Sequence, residues 1–346
     1  MNQVSAWIRK RPLGSFYVIT FAITWGLGFS YIAVLQNEQL LLLPLIFVAT
    51  CAPALAGMIV TAVESGQGRP KLGRNRARWI VFFMAQIACT VIFLAHLHFF
   101  QGAPFTPILA LFTFFLLAPT VAYIVSAAYS RGTAVRAMMA SLVKLRGAGG
   151  WVLLALVFIP GIMLLSVATS DFLGRQPASA VSNMVPGMPL LGLVAVKFLY
   201  QFFFFNGTGE ESGWSGFARP RLQARASPLI AALVVALFWV PWHFFLWAAE
   251  GQAVFTISFW FEFYAIHVPT SIIITWLYNR SKGSILVAGI AHAAANTAIA
   301  FLPDLDWIVL IAMMAVVTLL LVLMDRMWKR LPQEDPAVGH APRLAV

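Results

Sequence analysis

Charge is what this sequence has least of. Only 10% of its 346 residues are Asp, Glu, Lys or Arg, against about 25% in soluble globular domains. A chain of this length with so few charges cannot cover a water-facing surface. That excludes a cytosolic enzyme, a disordered protein and a secreted disulfide scaffold. Cysteine is nearly absent: Cys51 and Cys89 both lie inside apolar runs and read as small core residues, so no disulfide framework or cysteine-based metal site follows. There is no P-loop, no GxGxxG and no internal repeat. Apolar residues are what the chain does have, with 61% hydrophobic and 14% aromatic. The bilayer is the solvent that suits such a composition.

A crossing needs roughly 20 apolar residues. Ten segments qualify: 15–35, 39–63, 79–100, 105–129, 151–168, 191–218, 228–249, 255–278, 284–302 and 306–325. The first follows Arg9, Lys10 and Arg11 and is too long for a signal-peptide core, so it reads as a retained span. The sixth contains Lys197, Asn206, Gly207, Glu210 and Glu211, and the ninth is short and rich in small residues. The net charge of +11 comes in tracts between the spans. The N-terminus, the loops near 64–78, 130–150, 219–227 and 279–283, and the C-terminal tail hold 21 of the 23 Lys and Arg. The alternate gaps hold only Arg175, and Lys197 lies within a span. This asymmetry places both termini in the cytoplasm. The basic loops face lipid headgroups and give no reason to invoke nucleic acid. The expected fold is an all-α polytopic membrane bundle of about ten transmembrane helices, in the cell (inner) membrane if the source is prokaryotic. Residues 1–180 supply about five N-terminal spans, 181–328 a core bearing the motifs below, and 329–346 a disordered cytoplasmic tail.

An ionisable residue inside a span is costly and marks a functional hypothesis. His96 and His98, at the outer end of the third span, read as interface histidines. Glu262 sits near the outer interface, His267 reads as a packing histidine, and Lys197 either snorkels or pairs with a carboxylate. Three other neighbourhoods are structured. The first is Gly209-Glu210-Glu211-Ser212-Gly213-Trp214-Ser215-Gly216-Phe217, followed by Ala218-Arg219-Pro220-Arg221. Adjacent carboxylates lie about 100° apart on a helix, so one can face a cavity while the other pairs elsewhere. The second is Trp239-Val240-Pro241-Trp242-His243, where aromatics surround one imidazole and a proline bends the helix. The third is His292-Ala293-Ala294-Ala295-Asn296, an i, i+4 pair on one face with alanines that permit close helix approach.

Together, and in this order, these motifs resemble the CPBP group of intramembrane proteases, the Abi or CAAX-protease family related to type II CAAX prenyl endopeptidases. That family's pattern is Glu-Glu-x-x-x-Arg, aromatic-x-x-x-His and His-x-x-x-Asn on separate core helices. The stretches Phe16 to Trp25 and Ala52 to Ala56 also look familiar, and the specific part covers about residues 190–305. One position departs: the family's arginine falls on Ser215, with Arg219 one turn further on. The resemblance implies hydrolysis of a peptide bond in a membrane-associated peptide or protein substrate. Glu210 would be general base and His243 would hold the water. His292 and Asn296 would donate to the oxyanion, with Glu211, Ser215, Arg219 and Trp239 supporting. No cofactor is favoured. A zinc enzyme using Glu210, His243 and His292 is the alternative within the class. A transporter or a non-catalytic, bacteriocin-immunity-type protein is the alternative outside it. Depth is one tension. At about 1.5 Å per residue, Glu210 and His292 lie roughly 13 and 12 Å from the inner ends of their segments and His243 roughly 22 Å. His243 therefore needs a tilted or kinked helix, or one that starts outside the membrane.

Overall fold

A computed structural model describes residues 3–34, 39–66, 75–130, 133–145, 148–175, 184–185, 187–249, 251–302 and 305–338. Most of these residues are helical, and there is no strand among them. The helices are α1 (Gln3–Lys10), α2 (Pro12–Val34), α3 (Gln39–Thr50), α4 (Ala52–Glu64), α5 (Arg76–Gln101), α6 (Pro107–Phe112), α7 (Ala118–Ala127) and α8 (Ala134–Met139). Then follow α9 (Gly149–Phe172), α10 (Leu190–Phe204), α11 (Arg219–Gln223), α12 (Pro228–Trp242), α13 (Phe244–Ala249), α14 (Ile257–Arg280), α15 (Ile285–Phe301) and α16 (Trp307–Met324). Three π-turns interrupt the pattern, at Thr113–Leu117, Asn206–Glu211 and Trp214–Ala218.

All ten expected segments are helical, although they are not ten equal spans. Among the described residues, eight helices are long and apolar enough to cross a bilayer. The second segment is a pair, α3 and α4, bent by 56° at Cys51, where Pro53 opens the new helix. The ninth, α15, has only 17 residues. The polarity of the bundle is inverted relative to a soluble protein. Ile108, Leu191, Leu153 and Phe115 are 81, 80, 67 and 65% exposed on its outside, whereas Thr24, Asn206, Glu210, Glu211, Ser215, Arg219, Thr275 and His292 are buried. Lipid solvates the first group. The second must find partners within the protein. The chain is an integral, multi-pass membrane protein.

The basic gaps converge on one end of the bundle. There Arg9 donates to the Val63 carbonyl at 2.9 Å and Arg221 pairs with Glu64 at 2.8 Å. Asn75 meets the Tyr129 carbonyl, Asn279 donates to Gln223 at 2.9 Å, and Arg280 pairs with Asp325 at 2.8 Å. At the other end Arg175 clamps Asp306 at 2.6 Å, holding that carboxyl below its usual range and joining the end of α9 to the start of α16. The tail departs from expectation. Residues 331–338 pack against the basic end: Ala337 and Val338 are buried, and Gln223 donates to the Ala337 carbonyl at 2.9 Å. A short apolar pair sealing a polar loop suffices to order this part. Residues 339–346 lie outside the described residues.

The polar outliers also resolve. His96 is buried, stacked on Tyr200 with centroids 3.6 Å apart, so it packs inside the protein instead of reaching the interface. Lys197 lies over the rings of Phe100 and Tyr200 at 5.4 and 5.7 Å, a cation–π arrangement in place of a carboxylate partner. The depth tension dissolves because the helical path through Glu210 continues to Gln223. Measured at about 1.5 Å per residue, Glu210 is then roughly 20 Å from that end, close to the value for His243. α15 is tied at its own start to the 133–145 segment, its first amide donating to Ser141 at 3.2 Å.

Orientation is checked by cysteine labelling, since the two native thiols are buried. Lys144→Cys, at the basic end, is expected to react from the cytoplasmic side, and Gln252→Cys, at the other, only from outside. Reaction of both from the same side would refute the arrangement.

Candidate active site

The helix carrying the paired carboxylates is pressed between two neighbours, and its glycines make this possible. A Cβ on Gly289 of α15 would sit 2.7 Å from the Gly207 Cα. A Cβ on Gly209 would sit 2.9 Å from the Thr50 carbonyl oxygen, and one on Gly213 only 2.3 Å from the Pro53 carbonyl carbon. So α15 crosses on one side at Gly207, and the α3–α4 bend crosses on the other at Gly209 and Gly213. Small residues at such crossings let backbones approach closely. The N-terminal half is therefore part of the site's walls. Trp242 donates to Thr24 at 2.7 Å, and Phe16 packs edge-on to Trp214.

The two carboxylates divide as the 100° offset requires. Glu210 accepts from Asn206 Nδ2 at 3.0 Å through Oε1 and from Trp239 Nε1 at 2.7 Å through Oε2. His243 Nε2 lies 3.9 Å from the same Oε2. Glu211 turns the other way, to His292 Nδ1 at 3.2 Å and Arg219 Nη1 at 3.3 Å. Ser215 bridges the ion pair, its hydroxyl donating to Glu211 and accepting from Arg219. Arg219 is completed by Thr275, to whose hydroxyl its Nε donates at 2.9 Å. Thus the arginine missing at 215 is supplied from 219. The π-turn Trp214–Ala218 carries the helix past Pro220, which occupies its first turn and loses no needed hydrogen bond there.

The sequence reading missed Asn206 as a functional residue. Its Nδ2 donates to Glu210 and lies 3.2 Å from His292 Nε2, while its Oδ1 accepts from Asn296 Nδ2 at 3.2 Å. It thereby joins the first and third motifs. The available signal was its position four residues before Glu210 inside an apolar run. The carboxylate fixes the orientation of the amide, because Glu210 can only accept. His292 is then fixed too. Its Nδ1–H donates to Glu211, and its Nε2 accepts from Asn206. Both nitrogens are engaged, so His292 ties Glu211 to Asn206 and holds the network together. Asn296 keeps one N–H to spare. His243 and His267 are tethered alike, each through Nδ1 to the carbonyl four residues earlier, Trp239 at 2.9 Å and Phe263 at 2.8 Å.

A zinc ion on Glu210, His243 and His292 would need three lone pairs aimed at one point. Among the described residues no three His, Cys, Asp or Glu side chains are so arranged, and His292 Nε2 is directed at Asn206. This arrangement does not fit the ion, and no step is routed through it.

Apolar helices around a closed polar network define a class: a membrane protein with its chemical groups inside the bundle. The likeness to known proteins falls on the same motif-bearing core. Residues 192–298 match the family model described as type II CAAX prenyl endopeptidase Rce1-like. A curated relative, "CAAX prenyl protease 2" of Methanococcus maripaludis, is 31% identical over 153 residues, 40% of this chain and 52% of the relative. Over its motif-bearing core the chain is similar to this CAAX-protease family. The chain spans about half the length of the curated relative it matches.

Removing one partner of a buried ion pair costs about 3–5 kcal/mol. Arg219→Ala is expected to lose about that much in detergent unfolding, and Ser215→Arg to destabilise by crowding two guanidinium groups. The exchange Ser215→Arg with Arg219→Ser should recover most of the loss, because one cation again faces Glu211. A double variant no more stable than Arg219→Ala would show that the site cannot accept its cation from position 215.

Proposed function

We propose that the protein is an intramembrane endopeptidase that hydrolyses a peptide bond of a membrane-associated substrate, with water activated by Glu210 and His243. One observation carries the reading. Glu210 Oε2 and His243 Nε2 face each other across 3.9 Å, and neutral His243, its proton on Nδ1 toward Trp239, presents a lone pair there. Two acceptors at that spacing cannot bond to each other. A single water satisfies both, one O–H to each, and turns its own lone pairs outward toward a carbonyl carbon.

In the proposed reaction the water oxygen attacks the carbonyl carbon and one water proton passes to Glu210. The Asn296 N–H left over from Asn206 steadies the developing oxyanion. Collapse breaks the C–N bond, and Glu210 returns the proton to the departing nitrogen. Glu211, Arg219, Ser215, His292 and Asn206 hold Glu210 and Asn296 in place, and Trp239 fixes Oε2. The likeness of the core to CAAX prenyl endopeptidases supports the reaction class. The relative is named a CAAX prenyl protease; for this chain we carry over the membrane-associated peptide and leave the prenyl group to assay.

Glu210→Gln, which keeps the shape but not the base, is expected to lower kcat about 10²–10⁴-fold on a reporter peptide in detergent, with melting unchanged. Retention of most activity would refute the assignment. The proposed site is metal-independent, so a strong chelator should leave turnover intact. Loss on chelation with recovery on adding Zn²⁺ would overturn this.

A further inference from the structure

His267 lies outside the three motifs, yet the structure brings it to the same centre from a fourth helix, α14. Its ring stands edge-on to Trp239, centroids 4.8 Å apart, and 5.4 Å from His243. Trp247 and Phe263 complete the surround, at 5.8 and 5.7 Å. The Nδ1 proton is committed to the Phe263 carbonyl at 2.8 Å. Nε2 is therefore a bare lone pair, and among the described residues nothing donates to it. The side chain is half-buried, and this nitrogen is not among the enclosed, unpartnered polar atoms of the bundle. Packing alone would be served by any flat ring, and no ring of the aromatic surround donates to this nitrogen, the Trp239 indole N–H being taken by Glu210. A lone pair left open beside the proposed water position suits a donor that arrives with the substrate.

We propose that His267 is a further substrate-binding and catalytic residue, its Nε2 accepting a hydrogen bond from the N–H of the scissile peptide bond. This rests on the water-activation reading above. As the water oxygen bonds to the carbonyl carbon, the nitrogen loses its conjugation, takes the proton from Glu210 and leaves as an amine. Once it takes that proton its N–H is a charge-assisted donor, so the hydrogen bond tightens as the C–N bond breaks. His243 and His267 are tethered alike but serve opposite sides of the bond: His243 orients the incoming water and His267 receives the departing nitrogen.

An ester isostere tests this, because replacing the scissile N–H by oxygen removes the only group His267 would bind. Wild type, His267→Phe, His267→Gln and Glu210→Gln are assayed on a matched peptide and depsipeptide, with melting curves for each. His267→Phe keeps a flat ring without the lone pair. It is expected to lower kcat/KM for the amide about 10- to 100-fold, the contribution of one hydrogen bond to a group developing charge, and to leave the ester within about 3-fold. His267→Gln, which retains an acceptor oxygen, should recover part of the amide rate. Equal losses on both substrates would mean a packing role, and no loss on either would mean none; each overturns the proposal while Glu210→Gln still abolishes both reactions. If Glu210→Gln retains both activities, the water-activation reading fails first and takes this role with it.

Discussion

Two carboxylates side by side on one membrane-embedded helix cannot share a partner, and the rest of the site follows from that constraint. One of them, Glu211, takes the cation and an imidazole, with Arg219 at 3.3 Å and His292 at 3.2 Å. The other, Glu210, meets only neutral donors, Asn206 and Trp239. The split divides structure from chemistry. A carboxylate neutralised by a guanidinium is held ionised and inert. One held by an amide and an indole keeps its capacity to exchange a proton. Each acceptor-only carboxylate also dictates the orientation of its neighbours, so the tautomer of His292 and the facing of Asn206 are consequences of the same pair.

The bundle's outline was legible because its causes are compositional. Apolar length marks the spans, and the cost of carrying Lys and Arg across the bilayer sorts the basic gaps to one end. The motif residues Glu210, Trp239, His243, His292 and Asn296 were visible because ionisable or amide groups in apolar runs are rare. What escaped depended on backbone geometry that a one-dimensional spacing does not encode. Arg219 counts as a poor partner for Glu211 on an ideal helix, and it reaches only because the turn at Trp214–Ala218 is widened. The depth of His243 looked inconsistent because Arg219 and Pro220 suggested a helix end, whereas the helix runs on to Gln223. Asn206 was given no role because it stands in none of the three motifs, and its two contacts 86 and 90 residues away are invisible locally.

The glycines show how closely the chemistry depends on packing. Gly209 and Gly213 lie where the backbone of the α3–α4 bend leaves no room for a methyl group, and at Gly207 one would strike the Phe202 ring, while α15 comes so near that a Cβ on Gly289 would meet the Gly207 Cα. The polar network spans four helices with direct side-chain hydrogen bonds of 2.7–3.3 Å, and such lengths require backbones this near. Close crossing and buried polarity thus depend on each other. The network supplies the attraction that lipid cannot, and the glycines bring it within bonding distance.

Arg219, Ser215 and Glu211 belong to one helix, and this bears on how the chain enters the membrane at all. A carboxylate presented alone to hydrocarbon costs about 2.5–3.5 kcal/mol on insertion scales. His292, its distant partner, is 81 residues further along the chain and has yet to be synthesised when this segment emerges. Because its cation lies within the same helix, Glu211 enters the bilayer already compensated, while its contact with His292 and the contact of Glu210 with Trp239 wait for later helices. The charge that would most obstruct insertion is settled locally, before there is any bundle to receive it.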